Sequence, residues 1–299
     1  MRSGFVALIG RPNVGKSTLL NSLVGEKVSI TASTPNTTRH AVRGVVRRPD
    51  AQLVFVDTPG LHRPKSSLGH RLNATALGSL ADVDAAIALI EATAEIGPGD
   101  RRVLHHLLES CGSDGATPFV VVNKLDTTSK ATTAGQLLAA QDEVAAISEE
   151  IGAARTADRV EYFAISAAKG TGVDALCDAV AAVLPEGPSW FPDGEVSDQS
   201  DVDWVAELVR EQLLRRVRDE LPHAIHCRVA SWEWPVIRVD ILVERDSQKP
   251  IVIGRRGEVL KEVGIAVRKQ LPEGCFLELH VLVEPRWQSR DEVLDRWGY

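Results

Sequence analysis

A glycine-rich segment near the amino terminus, Gly10–Ser17, holds the residues best suited to bind phosphate. It reads G-R-P-N-V-G-K-S and matches the pattern G-x-x-x-x-G-K-S between an apolar run, Phe5–Ile9, and a helical pattern. In this context backbone N–H groups curl around phosphate oxygens, and the helix N-terminus adds the positive end of a dipole. We expect Lys16 to reach the β- and γ-phosphates of a nucleotide and the Ser17 hydroxyl to bind Mg²⁺. The predicted phosphate contacts are Gly10, Arg11, Pro12, Asn13, Val14, Gly15, Lys16 and Ser17.

A second motif, Asp57-Thr58-Pro59-Gly60, directly follows the apolar run Leu53–Val56. A carboxylate at the carboxyl end of a strand, beside the phosphate loop, suits the coordination shell of Mg²⁺. The amide of Gly60 can then bind a γ-phosphate. The predicted contacts of this segment with the nucleotide are Asp57, Thr58, Pro59, Gly60 and Leu61.

Two further segments at strand ends suit the recognition of a guanine base. Asn123, Lys124 and Asp126 follow the apolar run Phe119–Val122. An aspartate can accept hydrogen bonds from N1–H and N2–H₂ of guanine, whereas adenine would leave this carboxylate unpaired. Backbone N–H groups in a later segment could meet guanine O6. That segment consists of Ser166, Ala167 and Ala168.

These four motifs, in this order and spacing, resemble those of the translation-factor-related GTPases over about residues 4–184. The segment Asn36–His40 falls where that family keeps its first switch, in which one threonine binds Mg²⁺. We favour Thr38 for this role, although the sequence does not separate it from Thr37. The predicted metal ligands are therefore Ser17, Asp57, Thr38 and, as its alternative, Thr37.

The residue after Gly60 is Leu61, so no glutamine is available at that position to orient the attacking water. In related GTPases with an apolar residue here, an asparagine of the phosphate loop accompanies a bound K⁺. This ion takes over the stabilisation of charge in the transition state. The resemblance thus implies that Asn13 is a K⁺ ligand; the alternative is a hydrogen bond that shapes the loop. The predicted catalytic residues are Asn13, Lys16, Thr38 and Gly60.

Short β-branched runs alternate with helical patterns through residues 1–184. Continuous apolar strands separated by helices predict a parallel sheet that is covered on both faces, a doubly wound α/β domain. Residues 185–201 contain three prolines without any period and are predicted to be a linker. Residues 202–299 show the order helix, strand, strand, helix, strand, which predicts a smaller α+β domain.

The smaller domain carries a G-x-x-G loop, Gly254-Arg255-Arg256-Gly257, between an apolar run and a helix that includes Lys261. Its order of elements matches the type II KH arrangement. In KH domains this loop approaches a single-stranded RNA backbone closely, and here its arginines can meet phosphates. The predicted RNA-binding residues are Gly254, Arg255, Arg256, Gly257 and Lys261.

A doubly wound P-loop GTPase domain followed by one type II KH domain resembles the Era family of bacterial ribosome-associated GTPases. The resemblance implies GTP and GDP as ligands, and binding near the 3′ end of 16S ribosomal RNA. It also implies a role in 16S rRNA processing and in the biogenesis of the 30S subunit, and peripheral contact with the inner face of the cell membrane. The family's loop usually reads G-x-K-G, whereas here Arg255 and Arg256 stand between the two glycines.

The composition limits the kinds of binding partner that this protein can have. The net charge of −7 excludes a general polyanion binder, so RNA must meet a local basic patch, and no DNA partner is expected. The four cysteines form no C-x-x-C pair, which fits free thiols in a reducing cytosol. We expect a cytoplasmic monomer.

Two rival functions are also compatible with a P-loop. One is a nucleotide-gated RNA chaperone with negligible turnover, in which Leu61 marks lost catalysis. The other is a metabolic P-loop kinase, which the guanine-reading segment Asn123–Asp126 disfavours because a kinase has no use for guanine specificity.

Overall fold

A computed structural model describes residues 1–64 and 66–299, and it divides them into two compact units. The first unit contains Met1–Ser29, Thr38–Pro64 and Gly69–Asp198. The second contains Gln199–Tyr299 together with two short stretches from earlier in the chain, Ile30–Thr37 and 66–68. Among the described residues, no helix is both long and apolar enough to cross a membrane.

The first unit is built on a six-stranded sheet with the order β2-β3-β1-β4-β5-β6. Strand β2 is antiparallel to β3, and the other neighbours are parallel. The strands are β1 (Arg2–Gly10), β2 (Val42–Arg48), β3 (Ala51–Asp57), β4 (Ala85–Glu91), β5 (Thr117–Asn123) and β6 (Glu161–Ala164). The helices are α1 (Lys16–Val24), α2 (Ser67–Gly78), α3 (Pro98–Cys111), α4 (Lys130–Ile151), α5 (Ala154–Ala157) and α6 (Val173–Val183).

Both faces of this sheet are covered, as the continuous apolar runs predict. Alternate residues of β1 enter two separate cores: Val6 and Leu8 face the core that includes α1 and α6, whereas Ala7 and Ile9 face the core that includes α3 and α4. The prediction of a doubly wound α/β domain is confirmed. Strand β2 is not predicted by the sequence pattern, because arginines interrupt its apolar residues at the edge of the sheet.

Several helix starts follow from local capping. The Ser129 side chain accepts a hydrogen bond from the N–H of Thr132, so α4 begins at Lys130. Asp100 accepts from the N–H of Gly97 at the start of α3, where Pro98 takes the first turn.

Residues 185–198 of the predicted linker belong to the first unit. Glu186 forms an isolated bridge with Arg2, and Ser197 forms one with Gly44. The buried side chain of Gln52 accepts a hydrogen bond of 2.7 Å from the N–H of Trp190. The chain then enters the first helix of the second unit at Asp201.

The second unit contains a three-stranded sheet in the order β7-β8-β9, with β7 antiparallel and β9 parallel to β8. Its strands are β7 (His226–Glu233), β8 (Val236–Val243) and β9 (Phe276–Val283). Its helices are α7 (Asp201–Leu214), α8 (Leu221–Ala224), α9 (Lys249–Ile253), α10 (Glu258–Arg268) and α11 (Asp291–Arg296). The predicted α+β class is confirmed, although the apolar run before the G-x-x-G loop forms the short helix α9, which begins with Pro250 in its first turn.

Candidate nucleotide and RNA sites

Asp57 is the centre of a polar cluster at the carboxyl end of β3. Its side chain is buried, and its Oδ2 accepts hydrogen bonds from Ser17 Oγ (2.7 Å), Ser29 Oγ (3.0 Å) and Thr38 Oγ1 (3.2 Å). Its Oδ1 has no hydrogen-bond partner among the described residues. Burial raises the pKa of Asp57, and the charge of Lys16 opposes that rise. A buried carboxylate with several hydroxyls offers the oxygen ligands that Mg²⁺ prefers.

The Lys16 ammonium group is buried in the phosphate loop. Its Nζ donates to the carbonyl oxygens of Gly10 and Arg11, each at 3.1 Å. Burial lowers its pKa to about 8, although the nearby Asp57 carboxylate acts in the opposite direction. A phosphate at this loop would therefore meet a poorly solvated cation, which binds anions more strongly than an exposed lysine does.

The two threonines of the predicted switch differ in their surroundings. Thr38 Oγ1 lies 2.9 Å from Ser17 Oγ, whereas Thr37 Oγ1 donates to the carbonyl oxygen of Thr34. The structure therefore places Thr38 next to the Asp57 cluster and turns Thr37 toward its own segment.

Two close approaches in the first unit require glycine. Gly15 adopts a φ of +101°, and a Cβ there would lie 2.3 Å from Nδ2 of Asn123. A Cβ at Gly60 would lie 2.7 Å from the backbone nitrogen of Pro12. The Asp57–Gly60 turn therefore contacts the phosphate loop directly.

The remaining residues of the phosphate loop have separate environments. Arg11 Nε lies 2.7 Å from Oδ1 of the buried Asp100 on α3. Asn13 is exposed, with a left-handed φ of 65°, and Val14 is buried in the core. Arg11 thus ties the loop to α3, while Asn13 stands at its surface.

The residues beside Gly60 turn inward. The Thr58 hydroxyl donates to the carbonyl oxygen of Leu8 at 2.7 Å, and Pro59 is also buried. The backbone N–H of Leu61 donates to the carbonyl oxygen of Gly10 at 3.0 Å, and its side chain is buried in the core. The Leu61 side chain offers no hydrogen bond to a water molecule at the phosphates.

The predicted guanine segments come together at the ends of β5 and β6. The buried Asn123 side chain accepts a hydrogen bond from the N–H of Ala167 (3.0 Å). Oδ1 of the exposed Asp126 accepts one from Ser166 Oγ (2.5 Å). Lys124 has a left-handed φ of 70°, and its Nζ lies 3.1 Å from Oε1 of Glu91. Ala168 is exposed beside them.

The predicted RNA-binding loop projects from the second unit between α9 and α10. Arg255, Arg256 and Lys261 are exposed, and none of them forms an ion pair with a described residue. Gly254 and Gly257 both have left-handed φ values, 75° and 79°. Ile251, on the preceding helix, is 56% exposed and places apolar surface next to these cations.

Two groups near the switch region are missed by sequence reasoning. One is Ser29, whose hydroxyl is the third donor to Asp57. The other is a run of buried polar side chains on α7. Arg210 donates to the carbonyl oxygen of Thr37 and pairs with Glu207, and Glu211 Oε1 accepts from the N–H of Thr31 at 3.0 Å. Three consecutive polar residues in an amphipathic helix, Arg210-Glu211-Gln212, are the one signal that could have indicated this contact.

Two family models match parts of this chain. Residues 5–124 match a family described as 50S ribosome-binding GTPase, and residues 220–288 match the KH domain family. Together with the fold, these matches define a class: a P-loop GTPase that carries a KH domain.

Similarity to individual proteins extends over the full chain. The chain is 43% identical to GTPase Era of Mycobacterium avium over 309 aligned positions, which cover 100% of this chain and 99% of that protein. It is also 43% identical to GTPase Era of Mycobacterium tuberculosis, over 99% of this chain and 98% of the relative. The chain belongs to the Era family of GTPases.

Two solved structures resemble this fold closely. One is Era in complex with MgGDPNP and nucleotides 1506–1542 of 16S ribosomal RNA; the other is a variant of Aquifex aeolicus Era bound to GDP and AlF₄⁻. Each has a TM-score of 0.86 and 35% identity, and each comparison covers 100% of this chain and 99% of the solved one.

Proposed function

We propose that this protein binds GTP with Mg²⁺, hydrolyses it to GDP, and binds 16S ribosomal RNA through its KH domain. The observation that supports nucleotide binding is the buried Asp57 carboxylate, whose Oδ1 has no hydrogen-bond partner within residues 1–64 and 66–299. A buried charge needs compensation, and a bound cation supplies it. The test measures the formation of GDP from GTP with and without Mg²⁺. The proposal requires hydrolysis that depends on Mg²⁺ and is lost in Asp57→Ala.

The residues around Asp57 fit a magnesium ion. Ser17 and Thr38 would hold it together with Asp57, since their three side-chain oxygens already lie within hydrogen-bond distance of one another. When bound, Mg²⁺ neutralises charge on the β- and γ-phosphates. Lys16 would bind the same phosphates, and the Gly60 amide would donate to the γ-phosphate. The loop Gly10–Ser17 would supply its N–H groups to the phosphate oxygens.

Base selection rests on Asp126. Its carboxylate is fixed by Ser166 and exposed at the end of β5, where it can accept from N1–H and N2–H₂ of guanine. The backbone of Ala167 and Ala168 lies beside it for O6. Lys124, which forms an ion pair with Glu91, would line the same base site.

Leu61 cannot orient the attacking water, and a bound K⁺ would instead stabilise the negative charge of the transition state. Asn13 stands exposed at the phosphate loop, where its side chain can reach an ion beside the phosphates. The rival function, an RNA chaperone with negligible turnover, is favoured by the same Leu61. Hydrolysis rates in KCl and in NaCl separate the two, since a chaperone shows negligible rates in both.

The RNA partner is 16S rRNA near its 3′ end, as part of the 30S subunit during its maturation. Support comes from the solved Era complex with nucleotides 1506–1542 and from the exposed cations of the G-x-x-G loop. Crosslinking in cells, followed by sequencing of the bound RNA, tests this assignment. Recovery of RNA without enrichment of the 16S 3′ end would contradict it. A cytoplasmic location follows from this partner; peripheral contact with the inner face of the membrane rests on family resemblance alone and is tested by cell fractionation.

Nucleotide state controls RNA engagement through residues 30–37. This segment leads directly into Thr38, and α7 of the second unit holds it through Arg210 and Glu211. A change in the position of Thr38 would therefore displace the adjoining segment 30–37, which is hydrogen-bonded to α7 of the RNA-binding unit. RNA affinities measured with GDP and with a non-hydrolysable GTP analogue test the link; equal affinities would contradict it.

A further inference from the structure

A cluster of three potential metal ligands lies on the second half of α3, outside the nucleotide and RNA sites. His105 Nδ1 and His106 Nδ1 each lie 3.6 Å from Oε2 of Glu109. One ligand atom from each residue can be chosen so that all three lie within 4.8 Å of one another. The two imidazole rings stand nearly perpendicular, at 83°, with centroids 5.9 Å apart.

We propose that His105, His106 and Glu109 form a binding site for a divalent transition-metal ion of the zinc type. Tetrahedral Zn²⁺ with bonds of about 2.0–2.2 Å to nitrogen and oxygen separates its ligand atoms by about 3.4 Å. The two 3.6 Å distances are already close to that value. The side chains are 39%, 28% and 63% exposed, so small rotations can bring the third distance into range.

The position on the helix favours a cation. Glu109 follows His105 by four residues and His106 by three, so its carboxylate reaches both imidazoles on one face. The cluster lies near the carboxyl end of α3, where the helix dipole attracts positive charge. Two imidazoles and one carboxylate leave a fourth position for water.

The surroundings restrict the ligand set and the metal. Cys111 lies two residues beyond Glu109, but its side chain is buried in the core of the first unit and is not part of the exposed cluster. The Mg²⁺ that accompanies the nucleotide is a poor competitor, because it prefers oxygen ligands in an octahedral arrangement. Imidazole nitrogen instead suits zinc, copper and nickel.

The test is titration of the full-length protein, saturated with GDP and Mg²⁺, with ZnCl₂ in a calorimeter. We expect one equivalent to bind. His105→Ala, His106→Ala and Glu109→Gln should each weaken binding at least about tenfold, the smallest loss typical even for residues that only orient a ligand. Titration with CoCl₂ should give the visible absorption of a four-coordinate ion, absent in the doubly substituted His105→Ala/His106→Ala protein.

A matched control exists in the second unit. His280 Nε2 lies 3.8 Å from Oε2 of Glu278, so this pair has one imidazole and one carboxylate but lacks a second histidine. His280→Ala should leave zinc affinity unchanged. All substituted positions are at least partly exposed, and circular dichroism checks that each variant is folded. Equal zinc affinity in wild type and in the double variant, or no saturable binding, would overturn the proposal and leave only ordinary ion pairs along a helix.

Discussion

Nδ2 of Asn123 donates a hydrogen bond of 2.8 Å to the carbonyl oxygen of Val14, joining the guanine segment to the phosphate loop. Its Oδ1 accepts from the N–H of Ala167, so one buried side chain connects three segments that the sequence predicts to bind nucleotide. The proposed base site and the proposed phosphate site therefore share this side chain.

Asn123→Ala should therefore weaken GDP and GTP binding together and lower the free energy of unfolding by about 1–3 kcal/mol, because buried polar partners lose their hydrogen bonds. Gln52→Ala is a matched control: the buried Gln52 also binds backbone groups, those of Trp190 and Phe191, at the other end of the sheet. It should lower stability but leave nucleotide affinity unchanged. Denaturant titration and fluorescent-nucleotide binding measure both effects. A normal GDP affinity in Asn123→Ala would show that the three segments keep their arrangement without this side chain.

Asp126→Asn should shift preference from GTP toward XTP. Xanthine carries a carbonyl where guanine carries the 2-amino donor, and an amide can donate to that carbonyl whereas a carboxylate cannot. Competition binding with both nucleotides measures the shift. Ser166→Ala serves as a control, since it frees the Asp126 carboxylate without altering its chemistry. That variant should lose affinity yet keep its preference for GTP, and an unchanged preference in Asp126→Asn would remove Asp126 from the base site.

The sequence predicts the motif positions well because each lies where a strand ends. Gly10, Asp57 and Asn123 are the last residues of β1, β3 and β5, and parallel strands bring their carboxyl ends to one edge. The same pattern does not separate Thr37 from Thr38, since both are small hydroxyl residues in a segment without period. Only the tertiary position of Asp57 distinguishes them.

Other features depend on packing that no local pattern encodes. Arginine is rarely buried, yet Arg210 is 1% exposed because the segment 30–37 lies against it. Ser29 lies in a stretch that has no motif, and its contact with Asp57 spans 28 residues. Long-range contacts of single polar groups are therefore the part of the site that sequence periodicity leaves unassigned.

Hydrolysis should be faster in K⁺ than in Na⁺ at equal ionic strength, and Asn13→Ala should remove the difference. The physical reason is Leu61. Its buried side chain cannot orient the attacking water as a glutamine does, so hydrolysis depends more on a cation that stabilises the negative charge of the transition state. Single-turnover rates, measured with the protein in excess over GTP, report the effect without interference from GDP release. Equal rates in both salts would exclude the ion, and an arginine from a partner would then be the better source of charge.

GTP affinity should fall above about pH 8 because of Lys16. Burial sets its pKa to about 8 in the free protein, whereas bound phosphates would raise it. Below pH 8 the ammonium is charged both before and after binding, so affinity does not depend on this group. Above pH 8 binding must take up a proton, and affinity drops by up to about tenfold per pH unit. Lys16→Ala should bind more weakly with a flat profile over the same range, and a parallel decline in both proteins would assign the effect to another group.

Changing Arg255 and Arg256 to glutamate should weaken single-stranded RNA binding while GTP turnover by the free protein stays near normal. Both side chains are exposed in a loop of the second unit, and they are absent from the polar cluster around Asp57. On a single strand, removing one cation from a phosphate should reduce the slope of log K against log salt by about 0.7. Arg102→Glu with Arg155→Glu makes the same change in net charge on exposed positions of the first unit and should leave the slope unchanged. Filter binding at several KCl concentrations gives affinity and slope for all three proteins. If the loop variant kept wild-type values of both, the G-x-x-G loop would not be the RNA contact, and the cations of α10, beginning with Lys261, would have to carry it.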